Sequence, residues 1–135
     1  MKRIVTSIAL AFVLGSMAPA AAEAPIEGRW QNPKDSVIVD VAPCGARTWC
    51  GKVSWASAKA KRKAREAGTA NLVGTRLLTG LKPDGDGGYK GRAFLPKRNM
   101  HAGATVRPSG RNTLLVKGCA FAGLICKEQR WTRVR

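Results

Sequence analysis

Apolar and polar side chains alternate in short runs along most of the chain after residue 22. In the run 36–41, for example, Val37, Val39 and Val41 fall on one face of an extended strand, and the residues between them fall on the other. Clusters of Gly, Pro, Asn and Asp separate the runs, most clearly Pro-Asp-Gly-Asp-Gly-Gly at 83–88. Short strands at regular spacing with turns between them predict an all-β fold, either an antiparallel barrel or a sandwich.

The pattern predicts eight short strands, with additional apolar structure at 71–74. No internal repeat or low-complexity linker interrupts the series, so we expect a single domain. In a barrel of about eight strands, side chains can fill the interior completely, or the interior can hold one small ligand. The predicted strands are 27–31, 36–41, 50–55, 77–82, 89–96, 103–107, 113–117 and 124–134.

One segment breaks the alternation. Residues 58–67 are rich in Ala, Lys and Arg, which favour helix, while Ser57 is a suitable N-cap and Gly68 a suitable stop. Because its only apolar side chains are alanines, the segment is not expected to dock strongly on a core, and it forms either a short exposed helix or a loop. Both forms place five cations on the surface, where we expect them to contact anionic envelope components. These cations are Lys59, Lys61, Arg62, Lys63 and Arg65.

The first 22 residues have the features of a cleaved signal peptide. Lys2 and Arg3 supply a positive start, 4–14 is apolar, and the alanines at 20–22 offer small residues to signal peptidase. The apolar run is too short for a permanent membrane-spanning helix, and an uncleaved N-terminal anchor is the alternative interpretation. Cleavage after Ala22 would leave 113 of the 135 residues, 23–135, as one domain. We therefore expect an exported protein, periplasmic or secreted, with no transmembrane segment in the mature chain.

The four cysteines are consistent with export. An even number of cysteines in an exported chain predicts disulfides. The local pairs are separated by five and six residues, whereas zinc sites usually have about two to four between paired cysteines. Three pairings are formally possible. The local pairing is favoured because each pair straddles its own predicted turn, and it joins Cys44 to Cys50 and Cys119 to Cys126.

The chain is strongly basic. Its net charge is +16, and loss of Lys2 and Arg3 with the signal peptide lowers this to +14. Such an excess attracts polyanions, among them anionic lipid head groups, lipopolysaccharide phosphates and nucleic acid. Many exported bacterial proteins are basic without a dedicated anionic partner, so charge alone does not assign a function. We expect a monomer with no specific nucleic-acid partner.

Few residues are available for catalysis. His101 is the one histidine and lies in a turn-rich stretch, and the cysteines are expected to be oxidised, so no catalytic triad is indicated. The stretch 84–87 has the acidic spacing of a calcium loop, but the last position of such a loop would be Leu95, and Asp-Gly is already a hairpin signal. The spacing of Glu27 and Asp40 does not support a carboxylate pair. We therefore expect no enzymatic activity, no cofactor and no metal.

Several motifs together resemble a known family. They are Gly28-Arg29-Trp30, the Cys44/Cys50 hairpin that ends at Trp55, the turn 81–87 followed by Tyr89-Lys90-Gly91, and Lys117-Gly118-Cys119 leading to 129–134. With these motifs the chain resembles, over 27–134, the exported bacterial family called domain of unknown function 2147. The resemblance implies a small antiparallel lipocalin-like β-barrel, similar to the lipocalin and fatty-acid-binding group, with one short basic helix or loop inserted. It implies no activity, because the family is functionally uncharacterised.

The first of these motifs also resembles the Gly-x-Trp signature of the first lipocalin strand. That resemblance implies that Trp30 closes the barrel floor and packs on a basic residue of the last strand. Arg133, or alternatively Arg130, would be the partner, in a cation–π contact of about 1 kcal/mol. The residues with implied structural roles are Gly28, Trp30, Trp131 and Arg133.

Two functions of different classes follow. The first is a non-catalytic periplasmic binding protein for a small apolar or amphipathic ligand, and its structural alternative is an interior filled by aromatic side chains. The second is an envelope interaction or stress-associated protein that binds anionic lipid or polysaccharide through the basic segment. Retained lipid would favour the first, whereas salt-sensitive binding to anionic vesicles would favour the second. The candidate ligand-binding residues are Trp49, Trp55, Tyr89 and Phe94.

Overall fold

The computed structural model of the protein describes Gly15 and residues 24–135. The predicted signal peptide, apart from Gly15, and its cleavage point after Ala22 lie outside the described residues. Within the described part of the chain, no helix is long and apolar enough to cross a membrane.

The described residues form a closed antiparallel barrel of eight strands with one α-helix inserted. Each strand pairs with the next along the chain, and the last strand pairs with the first. This architecture confirms the predicted small antiparallel β-barrel. The elements in chain order are β1 (Gly28–Gln31), β2 (Val37–Gly45), β3 (Thr48–Ala56), α1 (Ala58–Glu66), β4 (Arg76–Pro83), β5 (Tyr89–Leu95), β6 (Met100–Pro108), β7 (Thr113–Ala120) and β8 (Ile125–Arg133).

The connections between strands alternate between the two ends of the barrel, because consecutive strands are antiparallel. The end that we call the floor carries the segment 24–27 and the turns 46–47, 84–88 and 109–112. The opposite end, which we call the mouth, carries the turn 32–36, the α1 segment 57–75, and the turns 96–99 and 121–124. Segments far apart in sequence therefore meet at each end.

The barrel closes through a short ladder between its first and last strands. β1 pairs with β8 at two positions, Trp30 with Arg133 and Gln31 with Thr132. In contrast, β8 pairs with β7 along its length, as far as Ile125 opposite Ala120. Among the described residues, 125–131 therefore have a strand partner on one side alone, and the wall between β8 and β1 is incomplete toward the mouth.

Large side chains fill the floor half of the barrel and the interior beside β2, β3 and β4, whereas small ones line β5 and β6 near the mouth. Packing is tight around Gly51, where a Cβ would lie 2.9 Å from Val39 Cγ1 and 3.2 Å from Leu78 Cβ. Nearer the mouth, the paired inward positions of β5 and β6 are Ala93 and Ala102, whose small side chains leave space inside the barrel. The largest fully buried side chains are Trp30, Ile26, Leu78, Leu81, Leu114, Val39, Val53 and Val106.

The basic segment forms a helix. Ser57 caps α1, because its hydroxyl oxygen accepts a hydrogen bond of 3.1 Å from the Ala60 amide, and Gly68 follows its end with φ +113°. Ala60 and Ala64, one turn apart, are buried against the core. The segment is therefore the short exposed helix of the two alternatives, and Ala60 and Ala64 are its buried contacts with the core.

One strand starts earlier than the sequence predicts. β6 begins at Met100 and not at 103, and Asn99, in the left-handed conformation (φ 46°), closes a turn after which Met100 pairs with Leu95. The additional apolar structure expected at 71–74 leads into a turn in which Leu72 is buried.

Candidate functional site

The floor is closed by Trp30 and Arg133. The Trp30 indole is fully buried, and its Nε1 donates a hydrogen bond of 2.9 Å to the Ile26 carbonyl. The guanidinium carbon of Arg133 lies 4.2 Å from the centroid of the Trp30 ring system, which confirms the predicted cation–π pair. Arg130, the alternative partner, is exposed. The contact forms because Trp30 and Arg133 are register partners in the β1–β8 ladder.

Hydrogen bonds to backbone carbonyls hold the Arg133 side chain in place. Its Nε donates to the Arg111 carbonyl at 2.8 Å, and Nη1 donates to the Glu27 carbonyl at 2.9 Å. Gly28 has a positive φ of 128°, and a Cβ at this position would collide with Arg133 Nη1. The Gly-x-Trp motif therefore supplies both the ring and the space for the guanidinium.

Two of the four predicted ligand-binding aromatics belong to the floor. Trp49 and Tyr89 meet edge to face with ring centroids 5.5 Å apart, and Trp49 Nε1 donates a hydrogen bond of 2.8 Å to Glu27 Oε1. Burial raises the pKa of Tyr89, and the nearby Glu27 carboxylate raises it further. Asp40 is paired with Arg29 at 3.2 Å on the barrel wall, so Glu27 and Asp40 do not face each other.

Trp55 faces outward, and the prediction that it helps to form an interior site is wrong. A β-bulge opposite Ile38 and Val39 inserts Ser54 as an extra residue in β3. Val53 therefore faces inward, but Trp55 is turned to the outside with 44% of its surface exposed. Strict alternation placed Val53 and Trp55 on the same face.

A cavity of about 480 Å³ opens at the mouth. Phe94 borders it, and it is the one member of the predicted aromatic set that does so. Trp131, assigned a structural role from the sequence, is buried beside the cavity and donates a hydrogen bond of 2.9 Å from Nε1 to Gln129 Oε1. Thus the interior is filled at the floor and open at the mouth. The other large apolar side chains around the cavity include Leu72, Leu77, Leu78, Met100 and Val116.

Four cations border the same cavity, and no Asp or Glu is among its described lining residues. They come from three separate parts of the chain: the β1–β2 turn, the β5–β6 turn and β8. These cations were not predicted from the sequence, because the cations of α1 lie closer together along the chain and attracted the prediction. In a barrel, alternate turns lie at the same end, and this rule could have placed the turn cations together. The four are Lys34, Lys97, Arg98 and Lys127.

The α1 cations lie at this end as well. Four of the five are exposed, and Lys61 is half-buried. Burial lowers the pKa of Lys97, and the positive charges of Lys34, Lys63 and Lys59 lower it further. The helix and two mouth turns therefore form one positively charged region around the cavity.

Both predicted disulfides are present. Cys44–Cys50 joins β2 to β3 in the hairpin whose turn lies at the floor, and Cys119–Cys126 joins β7 to β8 below the turn at the mouth.

The stretch 84–88 forms the β4–β5 hairpin turn, in which Asp84 Oδ1 accepts a hydrogen bond of 2.8 Å from the Asp86 amide. His101 is exposed, with its ring 5.0 Å from that of Phe94.

The barrel is similar to that of protein HP1028 from the human pathogen Helicobacter pylori, which belongs to the lipocalin family. The two chains share 16% sequence identity, the match covers 85% of each, and the TM-score is 0.63. At this identity the likeness concerns the fold alone. A search of curated proteins found no significant match to the sequence. The resemblance expected from the motifs is borne out by the family comparison, and the chain belongs to the bacterial family described as "Uncharacterized protein conserved in bacteria (DUF2147)", whose model matches residues 28–133.

Proposed function

We propose that this protein is a non-catalytic, exported binding protein whose mouth cavity holds a small amphipathic ligand with an anionic head group. The observation that carries the proposal is a cavity lined mainly by apolar side chains and bordered by four cations, with no carboxylate among its described lining residues. Specific sites for small molecules commonly combine an apolar body with a few polar groups placed at one side.

The size of the cavity suits a small molecule. Its volume of about 480 Å³ lies within the range of about 300–1,000 Å³ found for ligand pockets. Ala93 and Ala102 supply the space, and Leu77, Val116 and Trp131 supply apolar contact. A hydrocarbon chain or ring system that enters this space is removed from contact with water. This removal is the main source of affinity for such ligands.

The charges at the mouth support an anionic head group. Lys97 holds its proton less readily than an ordinary lysine, because of burial and because Lys34, Lys59 and Lys63 repel its charge. A carboxylate, sulfate or phosphate among these residues would relieve that repulsion and accept hydrogen bonds from the ammonium groups. A cationic head group would add to the repulsion.

Export and the lack of catalysis are parts of the same proposal. Two disulfides suit an oxidising compartment, as does the signal-peptide pattern of the first 22 residues. All four cysteines are oxidised, and His101 lies against Phe94 on an exposed strand position. We infer a carrier or sensor of its ligand in the periplasm or outside the cell.

The test compares three probes that share one alkyl chain: a fatty acid, the matching fatty alcohol and the matching alkyltrimethylammonium ion. Titration below their micelle concentrations, with native mass spectrometry for stoichiometry, should give the tightest binding for the fatty acid and the weakest for the cation. If none of the three binds, the proposal is wrong.

A cavity-filling variant makes the test specific to the site. Ala102→Leu adds apolar bulk to the cavity lining and should weaken the binding of every probe that the wild type binds. Ala42→Leu adds the same bulk at an exposed position of β2 and should leave binding unchanged. Equal effects of the two substitutions would place the ligand elsewhere.

A further inference from the structure

The tip of the β7–β8 hairpin exposes a group of large apolar side chains. Phe121, Leu124 and Ile125 are 66%, 85% and 54% exposed, and the other exposed large hydrophobic residues of the described chain are Trp55 and Val73. Contiguous exposed apolar groups of this kind mark interaction sites more often than single ones do.

A disulfide holds the base of the hairpin. The Cys119–Cys126 disulfide joins the strands next to the turn, and the Leu124 amide donates a hydrogen bond of 3.1 Å to the Phe121 carbonyl. Phe121 and Ala122 both adopt left-handed conformations with φ 55°, which residues other than glycine seldom adopt. The three apolar side chains of the tip are not part of the buried core.

The tip lies beside the cavity and within the positive region of the mouth. Phe121 and Ile125 both border the cavity, as does Lys127 two residues further along β8. The turn that carries Lys97 and Arg98 borders the same cavity. Apolar side chains at an apex with cations behind them match the order of layers in a membrane surface, where hydrocarbon lies beneath anionic head groups.

We propose that the mouth docks on an anionic lipid bilayer, with Phe121, Leu124 and Ile125 inserted at the boundary between the head groups and the acyl chains and the surrounding cations in contact with lipid phosphates. A second copy of this chain is a poorer occupant, because two mouths facing each other would bring like charges together. The proposal goes beyond ligand binding and does not depend on it. If both hold, the docked cavity opens directly onto the membrane.

The helix α1 contributes charge to this surface and not insertion. Its exposed cations flank the mouth, whereas Ala60 and Ala64 are buried against the barrel. Each cation near an anionic surface contributes on the order of a few-fold in affinity at low salt, and added salt screens the contribution. Changing Lys59, Lys61, Arg62, Lys63 and Arg65 together to Gln should therefore weaken binding mainly at low salt.

The decisive test is vesicle co-sedimentation of the exported protein and two variants. The vesicles contain phosphatidylglycerol with phosphatidylcholine, or phosphatidylcholine alone. Leu124→Glu places a carboxylate at the apex, and because Leu124 is 85% exposed the substitution removes no core packing. Ser109→Glu makes the same change in charge at an exposed position of the floor.

The wild type and Ser109→Glu should bind the anionic vesicles alike, and Leu124→Glu should bind at least about tenfold more weakly, the loss expected when one large apolar side chain no longer inserts. Equal binding of the two variants would overturn the insertion of the tip. Equal binding of the wild type to both kinds of vesicle, or to neither, would overturn the anionic docking.

Fatty-acid titration without vesicles should give the same affinity for Leu124→Glu and wild type, since Leu124 does not line the cavity. Failure of docking can thus be told apart from failure of ligand binding.

Discussion

At the floor of the barrel Arg133 and Glu27 are engaged with partners inside the protein, whereas at the mouth cations lie close to one another. Arg133 is held by backbone carbonyls and the Trp30 ring, and Glu27 accepts a hydrogen bond from Trp49. The two side-chain ion pairs among the described residues are Arg29–Asp40 on the wall and Arg107–Asp84 next to the floor. Neither involves a residue of the mouth.

The two ends of the barrel therefore differ in role: contacts at the floor stabilise the fold, and groups at the mouth are available for binding. Burial of Trp30 together with satisfied hydrogen bonds contributes free energy of folding at the floor. At the mouth, small inward residues leave a cavity, and within the described part of the chain the cations around it form no ion pair with an Asp or Glu. Those features stabilise the fold little and leave interactions available for a ligand.

The largest effect should come from emptying the floor. Trp30→Ala removes a fully buried indole and its contact with Arg133, and should lower the free energy of unfolding by about 3–5 kcal/mol. Urea denaturation measures the loss. Leu124→Ala at the mouth is the control, and because Leu124 is largely exposed it should change stability by less than about 0.5 kcal/mol. Similar effects of the two substitutions would contradict the division between the ends.

A smaller loss is expected from the partner of that tryptophan. Arg133→Met keeps an apolar stem but leaves the carbonyls of Glu27 and Arg111 without their donor, at a cost of about 2 kcal/mol. Arg130→Met, three residues earlier on β8 and exposed, should be nearly neutral in the same denaturation experiment. If Arg130→Met were the more damaging substitution, the floor would be closed by a different arginine.

The smallest expected change in the free energy of unfolding is an increase and not a loss. Lys97→Gln removes a charge that burial and neighbouring cations disfavour, so it should stabilise the fold at neutral pH, by less than about 0.5 kcal/mol because water screens an exposed group. The pKa of Lys97 is lowered in the folded state, so the unfolded state binds the proton more tightly. Wild-type stability should therefore rise with pH between the lowered pKa and the ordinary value of 10.5.

Thermal unfolding of both proteins across this alkaline range checks the sign. The advantage of Lys97→Gln over wild type should shrink as the pH approaches 10.5. An advantage that grows with pH would show that Lys97 is stabilised, and not repelled, by its surroundings. The same substitution should weaken fatty-acid binding, so that stability and binding change in opposite directions.

The Gly-x-Trp closure of the floor and both disulfides could be predicted from local sequence, whereas the orientation of Trp55 and the cations around the cavity could not. Gly28-Arg29-Trp30 is a contiguous motif, and each disulfide joins cysteines of one hairpin, so short-range patterns carry both. The orientation of Trp55 depends on a bulge that forms only when β3 is paired with β2, and period-two alternation contains no sign of it.

The cations that border the cavity come together only when the barrel closes. Lys34, Lys97 and Lys127 are separated by more than ninety positions along the chain from first to last, and barrel closure brings them to one opening. The burial of Ala60 and Ala64 was likewise not predicted, because alanines also stand at 58 and 67 and the sequence does not show which of them contact the barrel. Ile125 and its neighbours at the tip are exposed where β8 runs past the end of β1, which is a property of the assembled barrel.

We expect the mouth to select an anionic amphiphile. The ratio of the affinities for a fatty acid and its matching alcohol measures this selection directly. Calorimetric titration of wild type should favour the acid by at least about tenfold. Changing Lys34, Lys97, Arg98 and Lys127 together to Gln should bring the ratio close to one while the affinity for the alcohol stays the same. A wild-type ratio near one, or a ratio that the four substitutions leave unchanged, would contradict the account.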